Sequence, residues 1–500
     1  MKKSIIIIAI IIIILMNGFL KVVLPIISDK PESVDEPIEV SEIIKEPVKK
    51  NIIPANSLFV EDFDAIGDGI VDDTDAIQEA IDEAINLGRP LVFEQDKIYK
   101  ISGTLLIKSN LHISGYGSIL YMPSQRWLVN MMITEEEEIV ENVTIEGLSF
   151  MSKNDRKGTE YAEGSLTSNV TALHFIGINN LKIKDVYMYE MNVGIKFGES
   201  SNNQINENIA IDNTHIYRSL TPLLMNTTKD FTMTKGTLDA SAGSSRFLHS
   251  VYIDMNTSNI TFDQVLFENS PGAGVHIYNG YKGTSPATNI NIIDSRIQDS
   301  RVGIIIFSGA NNISVSNVEI TRVDLAFSVD HAENVNINNV TITEPTALTD
   351  VPKGAFRIKN MYQSSIKNVT IDGYGMEGVL ISIHENLVDL LISDMTVKNI
   401  NDLHLFQADD SSNVENLVVE NSMFEFSKVS TERMRFRGAG STALFYNNTF
   451  INTNGVYSSL INNDINTSIS LIKNKYSGFT NLVSTTDASI LKENTNLNKE

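Results

Sequence analysis

Phe59–Asp82 reads FVEDFDAIGDGIVDDTDAIQEAID. It holds nine carboxylates and two glycines in twenty-four residues, which suits a calcium loop, a patch of catalytic acids, or the start of a fold. The calcium reading fails on position. Counted from Asp62, the fifth place is Ile66 and the twelfth is Asp73, where an EF-hand needs an oxygen ligand and a glutamate. Helical spacing does better. Ile77, Ala80, Ile81 and Ala84 fall at i, i+3, i+4 and i+7, one apolar stripe of a short helix. Asp72 or Asp73 is placed to cap its N-terminus, Gly88 and Pro90 end it, and Gly67 and Gly69 supply the turn before it.

Downstream the chain repeats an alternating phrase, apolar-x-[N/D/G]-x-x-apolar. It begins at Ile145 (IEGLSF), Ile183 (IKDVYM), Ile211 (IDNTHI), Met233 (MTKGTL) and Phe262 (FDQVLF), and recurs after Ile292 as IDSRI. Further copies start at Val315, Ile337, Ile366, Ile392, Val419, Phe445 and Leu471, with neighbours 22 to 38 residues apart. A repeat of that length marks a solenoid or a propeller. Propeller blades need more residues, and no LxxLxL phrase of a leucine-rich repeat occurs. Short period-two strands bounded by Asn, Asp and Gly fit the coils of a parallel β-helix. The expected fold is all-β: a single-stranded, right-handed parallel β-helix solenoid of about thirteen coils, with a short N-terminal helix capping its apolar end.

With that context, DFDAIGDGIVDDTDAIQEAID resembles the opening motif of the pectate lyase superfamily of right-handed β-helix proteins, shared with polygalacturonases and some phage tailspikes. Asp64 replaces a usual glycine. Leu91–Gly117 resembles the segment that follows, although Glu94-Gln95-Asp96-Lys97 lacks the usual Pro and Gly. The resemblance implies the fold and says little about the reaction.

The chain has 500 residues, 42% of them hydrophobic, a formal net charge of −23 and no cysteine. Disulfides and thiolate metal sites are thereby excluded. So acidic a chain does not suit a nucleic-acid partner, and a polyanionic ligand would need a local basic patch. Lys2 and Lys3 precede the apolar run SIIIIAIIIIILMNGFL, which reads as a signal peptide or an uncleaved membrane anchor over residues 1–24. Residues 25–57 are charged and proline-punctuated, a linker. Residues 58–120 open and cap the solenoid, and 121–490 form its coils. The expected location is extracytoplasmic, secreted or anchored, with membrane contact only through the N-terminal segment.

In this superfamily the substrate groove runs along one parallel sheet, on the strand preceding the repeated phrase. Alternation on those strands turns outward Lys196; Tyr252 and Asp254; His276 and Tyr278; Ile305 and Phe307; Ser328 and Asp330; Arg357 and Lys359; Ser382 and His384; His404; and Arg435 and Arg437. Each alone is what any exposed strand face carries. Together they form a row of acids, bases, cations and aromatic rings, as a polysaccharide groove requires. The catalytic candidates are Arg357, Lys359, His384, Asp330, His331, Asp254 and His276. Tyr252, Tyr278, Arg301 and Arg322 are the substrate-binding candidates, and no metal ligands are assigned.

Phe356-Arg357-Ile358-Lys359 resembles the RIK motif of polygalacturonases, whose Arg and Lys hold the substrate carboxylate. The paired acids of that family are missing: one and two coils earlier the chain reads Ala326-Phe327 and Val302-Gly303. Asp330-His331 is similar to the acid–histidine pairs of alginate epimerases, without their intervening proline. The expectation is a polysaccharide lyase acting on an acidic, uronate-containing polysaccharide. Glycoside hydrolysis, uronate epimerisation and non-catalytic adhesion stay open as alternatives. Some β-helix lyases use Ca2+, so calcium stays open as a cofactor, as do monomeric and trimeric states.

Overall fold

A computed structural model of the chain describes residues 53–123, 127–134, 139–153, 169–198, 204–278, 284–344, 354–373, 378–400, 403–409, 411–426, 434–436, 440–463, 467–483 and 489–497. The signal or anchor segment at 1–24 and all but the last residues of the linker lie outside them. Among the described residues no helix is long and apolar enough to cross a membrane.

The repeated phrase works because its third residue turns a corner. That residue has positive φ in coil after coil, 54° at Asp185, 56° at Asn317, 53° at Asn368 and 54° at Asn447. A left-handed backbone costs an ordinary side chain ~1 kcal/mol or more. Asn, Asp and Gly occupy it at least cost. Their side chains then hydrogen-bond along the stack: Asn339 donates to Asn317 at 2.8 Å, and Asn317 donates to Asp294 at 2.8 Å. A second corner, five residues upstream in sequence, runs Asn312 to Asn289 at 2.6 Å and Asn289 to Asn259 at 2.9 Å. Gly147 is the glycine member of the first corner series. A β-carbon there would lie 2.4 Å from the Tyr116 ring.

These corners hold a single register. Ile145 pairs with Ile183, Ile183 with Ile211, Ile211 with Met233, Met233 with Phe262, and Phe262 with Ile292. Ile292 pairs with Val315, and the same ladder continues from Ile337 through Ile366, Ile392, Val419 and Phe445 to Leu471. It extends below Ile145 to Ile113, Leu91 and Leu58. All these pairings are parallel, so each coil stacks on its predecessor and like sits on like. Inside, Phe327 stacks on Phe356 (5.1 Å between ring centres) and Phe424 on Phe450 (5.4 Å). Arg296–Thr343 runs through more than one turn with its ladder pairing unbroken.

Toward the C-terminus an asparagine ladder lies at a buried corner. Asn474 donates through Nδ2 to the Phe445 carbonyl at 2.9 Å, while its Oδ1 accepts the Asn448 backbone N–H at 2.9 Å. Asn494 repeats this on Leu471 and Asn474, and Asn448 donates likewise to Val419.

The opening stretch builds the capping helix α1 (Thr74–Leu87), whose buried residues are Ile77, Ala80, Ile81 and Ala84. Gly88 ends it in the left-handed conformation, φ 61°. The two aspartates divide their work differently from a simple cap. Asp73 is the N-cap residue by position, and its carbonyl accepts the Ile77 N–H. Its carboxylate turns back, accepting the N–H groups of Ile66 (2.7 Å) and Gly67 (3.1 Å). Asp72 is the one whose side chain accepts the Thr74 N–H, at 3.1 Å. Asp73 thus ties the glycine loop to the helix start, while Asp72 serves the first turn.

Two predictions follow from these elements. Asn317 sits mid-ladder, so Asn317→Ala removes two side-chain hydrogen bonds and strains the corner. The expected loss is about 1–3 kcal/mol in urea unfolding, with Asn317→Gly destabilising less because it keeps the conformation. Glu61 accepts a hydrogen bond from the Tyr99 hydroxyl, and its other oxygen is covered without a partner. Burial raises its pKa to about 7, so the folded state binds a proton that the unfolded state releases near the ordinary carboxylate value. That stabilisation is present in acid and disappears as pH rises through about 7. Glu61→Gln is therefore expected to raise the melting temperature relative to wild type at pH 8, and the gain should shrink toward pH 5.

Candidate functional site

The expected row is a continuous ladder on the outer face of one sheet. Lys196, Leu224, Tyr252, His276 and Ile305 pair in succession. Ser328, Arg357, Ser382, Gln407 and Arg435 pair further along. Strands in such a ladder lie ~4.8 Å apart, so residues more than twenty positions apart in sequence become neighbours. The row passes through Gln407, not His404; His404 pairs with Val379 instead. Arg437 lies outside the described residues.

A charged cluster spans the coils of Asp330, Lys359 and His384. The Lys359 ammonium lies 3.0 Å from Glu385 Oε1 and 3.4 Å from Asp330 Oδ2. Hydrogen bonding to Glu385, and then the Asp330 charge, raise its pKa above the usual lysine range. Asn360 donates to Glu385 Oε2 at 2.7 Å and accepts from Asn386 at 2.8 Å. That amide and Lys359 lower the Glu385 pKa. Two aspartates each anchor a histidine: His331 Nδ1 is 2.6 Å from Asp330 Oδ1, and His384 Nδ1 is 2.8 Å from Asp409 Oδ2. The two rings differ in access. His331 is 60% exposed, whereas His384 Nε2 is covered and has no hydrogen-bond partner. Arg357 projects into solvent from the strand beside Asp330-His331, without an ion-pair partner among the described residues.

A second cluster is aromatic. His276 is ringed by Tyr252 (4.9 Å between ring centres), Tyr278 (5.5 Å) and Phe307 (5.9 Å). Its Nδ1 lies 2.8 Å from Nε2 of His249, whose own Nδ1 accepts the Ala273 backbone N–H at 2.9 Å. The backbone amide can only donate, so His249 carries its proton on Nε2 and gives it to His276 Nδ1. His276 is left with its proton on Nε2. Burial pushes His249 to about 2, with His276 adding to the effect, and burial takes His276 to about 4. The pair is therefore neutral in the physiological range, and the His276 Nε2 proton is covered, with no hydrogen-bond partner among the described residues.

Other candidates lie apart. Asp254 is buried, and its Oδ1 accepts the Met255 N–H at 2.8 Å. Arg322 sits at a corner of the solenoid, bonded by two nitrogens to Asp299, both at 2.6 Å, with Glu344 at 3.7 Å. It belongs to that ion-pair ladder, outside the row. Arg301 is half-buried before its strand, with a covered Nε that has no partner. Among the described residues, no three His, Asp or Glu side chains are grouped to hold a metal ion.

Alternation alone missed Glu385, Asp409, Asn360 and His249. The pairing of the Arg357 strand with the Ser382 strand shifts between Ile358 and Asn360, which brings Glu385 to Lys359. Aligning Gln407 with Ser382 would have revealed Asp409. His249 comes from the loop before the Tyr252 strand, which no strand period addresses.

No protein-family profile matches the chain. The plasmin and fibronectin-binding protein A of Streptococcus pneumoniae is 24% identical over 465 residues, 85% of this chain and 61% of that protein. The mannuronan C5-epimerase AlgE2 of Azotobacter vinelandii is 48% identical over 65 residues, 12% of this chain and 6% of that enzyme. The chain thus spans less than two thirds of either relative. A tailspike protein of E. coli bacteriophage HK620, solved with a pentasaccharide, superposes with a TM-score of 0.52 at 11% identity, over 87% of this chain and 78% of that one. The fold is a right-handed parallel β-helix, as in that tailspike protein. Within this β-helix the row occupies one sheet's outer face, where two clusters gather what chemistry it carries.

The proton positions can be checked directly. In nitrogen-15 NMR spectra, the rings of His249 and His276 are expected to stay neutral with protonated Nε2 from pH 8 to pH 5. Titration of either ring near the ordinary histidine value would remove the relay.

Proposed function

We propose that this β-helix binds an acidic, uronate-containing polysaccharide along the row and cleaves it by β-elimination. The observation that carries the reading is Arg357, an exposed cation one strand away from an exposed imidazole oriented by Asp330. Arg357 takes the uronate carboxylate in a charge-assisted pair, which draws charge from the ring and acidifies the C5 hydrogen. His331, donating through Nδ1 to Asp330, would remove that proton through Nε2, which must first give up its 3.5 Å contact with the Asn360 amide nitrogen. The C5–H electron pair forms the C4–C5 double bond, the C4–O bond breaks, and the departing oxygen takes a proton from solvent. The products are a chain with an unsaturated uronate end and a chain with a new hydroxyl. Local kinship with a mannuronan epimerase and an alginate lyase of Azotobacter vinelandii supports uronate chemistry. Likeness to the plasmin and fibronectin-binding protein A of Streptococcus pneumoniae supports an extracellular location.

A binding-only role is the second reading, and one observation favours it. Lys359 is already neutralised by Asp330 and Glu385, which leaves Arg357 as the exposed charge. The relative that aligns with most of this chain is itself named for binding. Hydrolysis would instead use Asp330 and Glu385 as the acid pair.

Incubation with polygalacturonate and with alginate separates these outcomes. Elimination gives absorbance from unsaturated uronate, hydrolysis gives reducing ends without it, and binding alone gives neither. For elimination, His331→Ala should lower kcat by about 100-fold or more. Arg357→Ala should cost ~10- to 100-fold in kcat/KM. Full activity in both variants would move the site elsewhere.

A further inference from the structure

The loop Ser241–Ser250 precedes the Tyr252 strand and is fixed to the row from two sides. At its base, His249 is buried, hydrogen-bonded to the Ala273 amide and to His276, and its ring lies 5.6 Å from that of Tyr252. Further up, the Gly272 N–H donates to the Leu248 carbonyl at 2.9 Å. The approach there is close: a β-carbon on Gly272 would stand 2.4 Å from the Leu248 carbonyl oxygen and 2.6 Å from that of Arg246. Leu248 also fills the space beside Gly243, where a β-carbon would be 2.1 Å from it. The backbone of 246–249 is thus laid directly on the turn of the next coil, with no room for a side chain between them.

A loop anchored so closely shows an unusual tip. Phe247 is 70% exposed, the Arg246 guanidinium lies 5.0 Å from the centre of its ring, and Arg246 itself is exposed. No carboxylate among the described residues pairs with Arg246, in a chain of net charge −23. Burying Phe247 elsewhere would favour folding; holding it out in water beside a free cation does not. An aromatic face and a guanidinium side by side recognise a sugar ring that carries a carboxylate: the ring stacks, and the charge pairs.

We propose that the loop 241–250 is a rigid side wall of the groove, and that Arg246 and Phe247 form a subsite for an acidic sugar. This rests on the reading that the row binds a uronate glycan. The wall stands at the coils of Tyr252 and His276, where the aromatic cluster lines the groove floor. Arg357 lies three strands further along, ~14 Å at ~4.8 Å per strand. A chain held at the wall therefore reaches the Arg357–His331 cluster only if it is several sugars long. Arg246 and Phe247 set which polymer is held and how long it must be, without taking part in bond breaking. His249 is a positioning residue for them, acting through the loop.

The test measures binding of long oligogalacturonates and oligomannuronates by calorimetry to wild type, Arg246→Ala/Phe247→Ala, His249→Ala and Arg357→Ala, with thermal melts as a folding control. The tip variant should melt as wild type does and bind the preferred oligomer about tenfold or more weakly. His249→Ala should weaken binding too, although both tip side chains are retained. If the oligomer is cleaved, the tip variant should raise KM and leave kcat within about twofold. Wild-type affinity in a folded tip variant overturns the wall and leaves the groove standing, provided Arg357→Ala binds more weakly. No binding by wild type to either oligomer overturns the uronate reading, and the wall with it.

Discussion

Everything in this molecule depends on the corner residues of each coil accepting a left-handed backbone. Without it a strand would run on past the corner and the next coil would not return in register. Asn, Asp and Gly accept that conformation most cheaply, and Asn adds a side chain that donates upward and accepts from below. The corner thus sets both the turn and the spacing, and repetition makes the register self-consistent. Lys235, Gln264 and Lys473 occupy the same corner with φ of 54°, 57° and 55°. The stack is evidently strong enough to impose the conformation on residues that do not favour it.

Register has a chemical consequence. Parallel stacking turns a series of ordinary exposed strand positions into a two-dimensional array, so local sequence matters less than which coil lies next. Asp330, Lys359 and Glu385 come from three coils and share one ammonium. His249 and His276 come from a loop and from the strand of the next coil, yet share one hydrogen-bond chain that starts at a backbone amide. The two clusters have opposite electrostatic characters. One is charged, hydrated and open at His331; the other is neutral, covered and aromatic. A long polymer lying across both would meet recognition by shape at one end and by charge at the other.

The sequence disclosed much of this, unevenly. The apolar stripe Ile77, Ala80, Ile81, Ala84 and the anchors from Ile145 to Leu471 are legible because burial imposes strict periods. The row from Lys196 to Arg435 follows from the same alternation. Asp73 shows where such reading stops: its place at the helix start is legible, but its carboxylate serves the glycine loop, a choice made by three-dimensional proximity. Glu385 was hidden by a one-residue slip between strands, since a single shift changes which side chains face each other. Asp254 and Arg322 show the same limit, since alternation and position say which way a residue points, and nothing about what already occupies that direction. His249 is the extreme case, a loop residue with no period to betray it.

The buried asparagine ladder of the last coils works as a latch with a direction. Each asparagine from Asn448 to Asn494 uses its side chain to complete the backbone of the coil before it. The bond that closes one coil is therefore supplied by the following one. Under tension applied from the C-terminal side, each of these coils must give up these side-chain bonds together with its own ladder before the coil beneath is loosened. Resistance to peeling then comes in discrete steps, one per coil. If the row holds a polymer as proposed, such stepwise yielding would let these coils give way while the groove beneath keeps its shape.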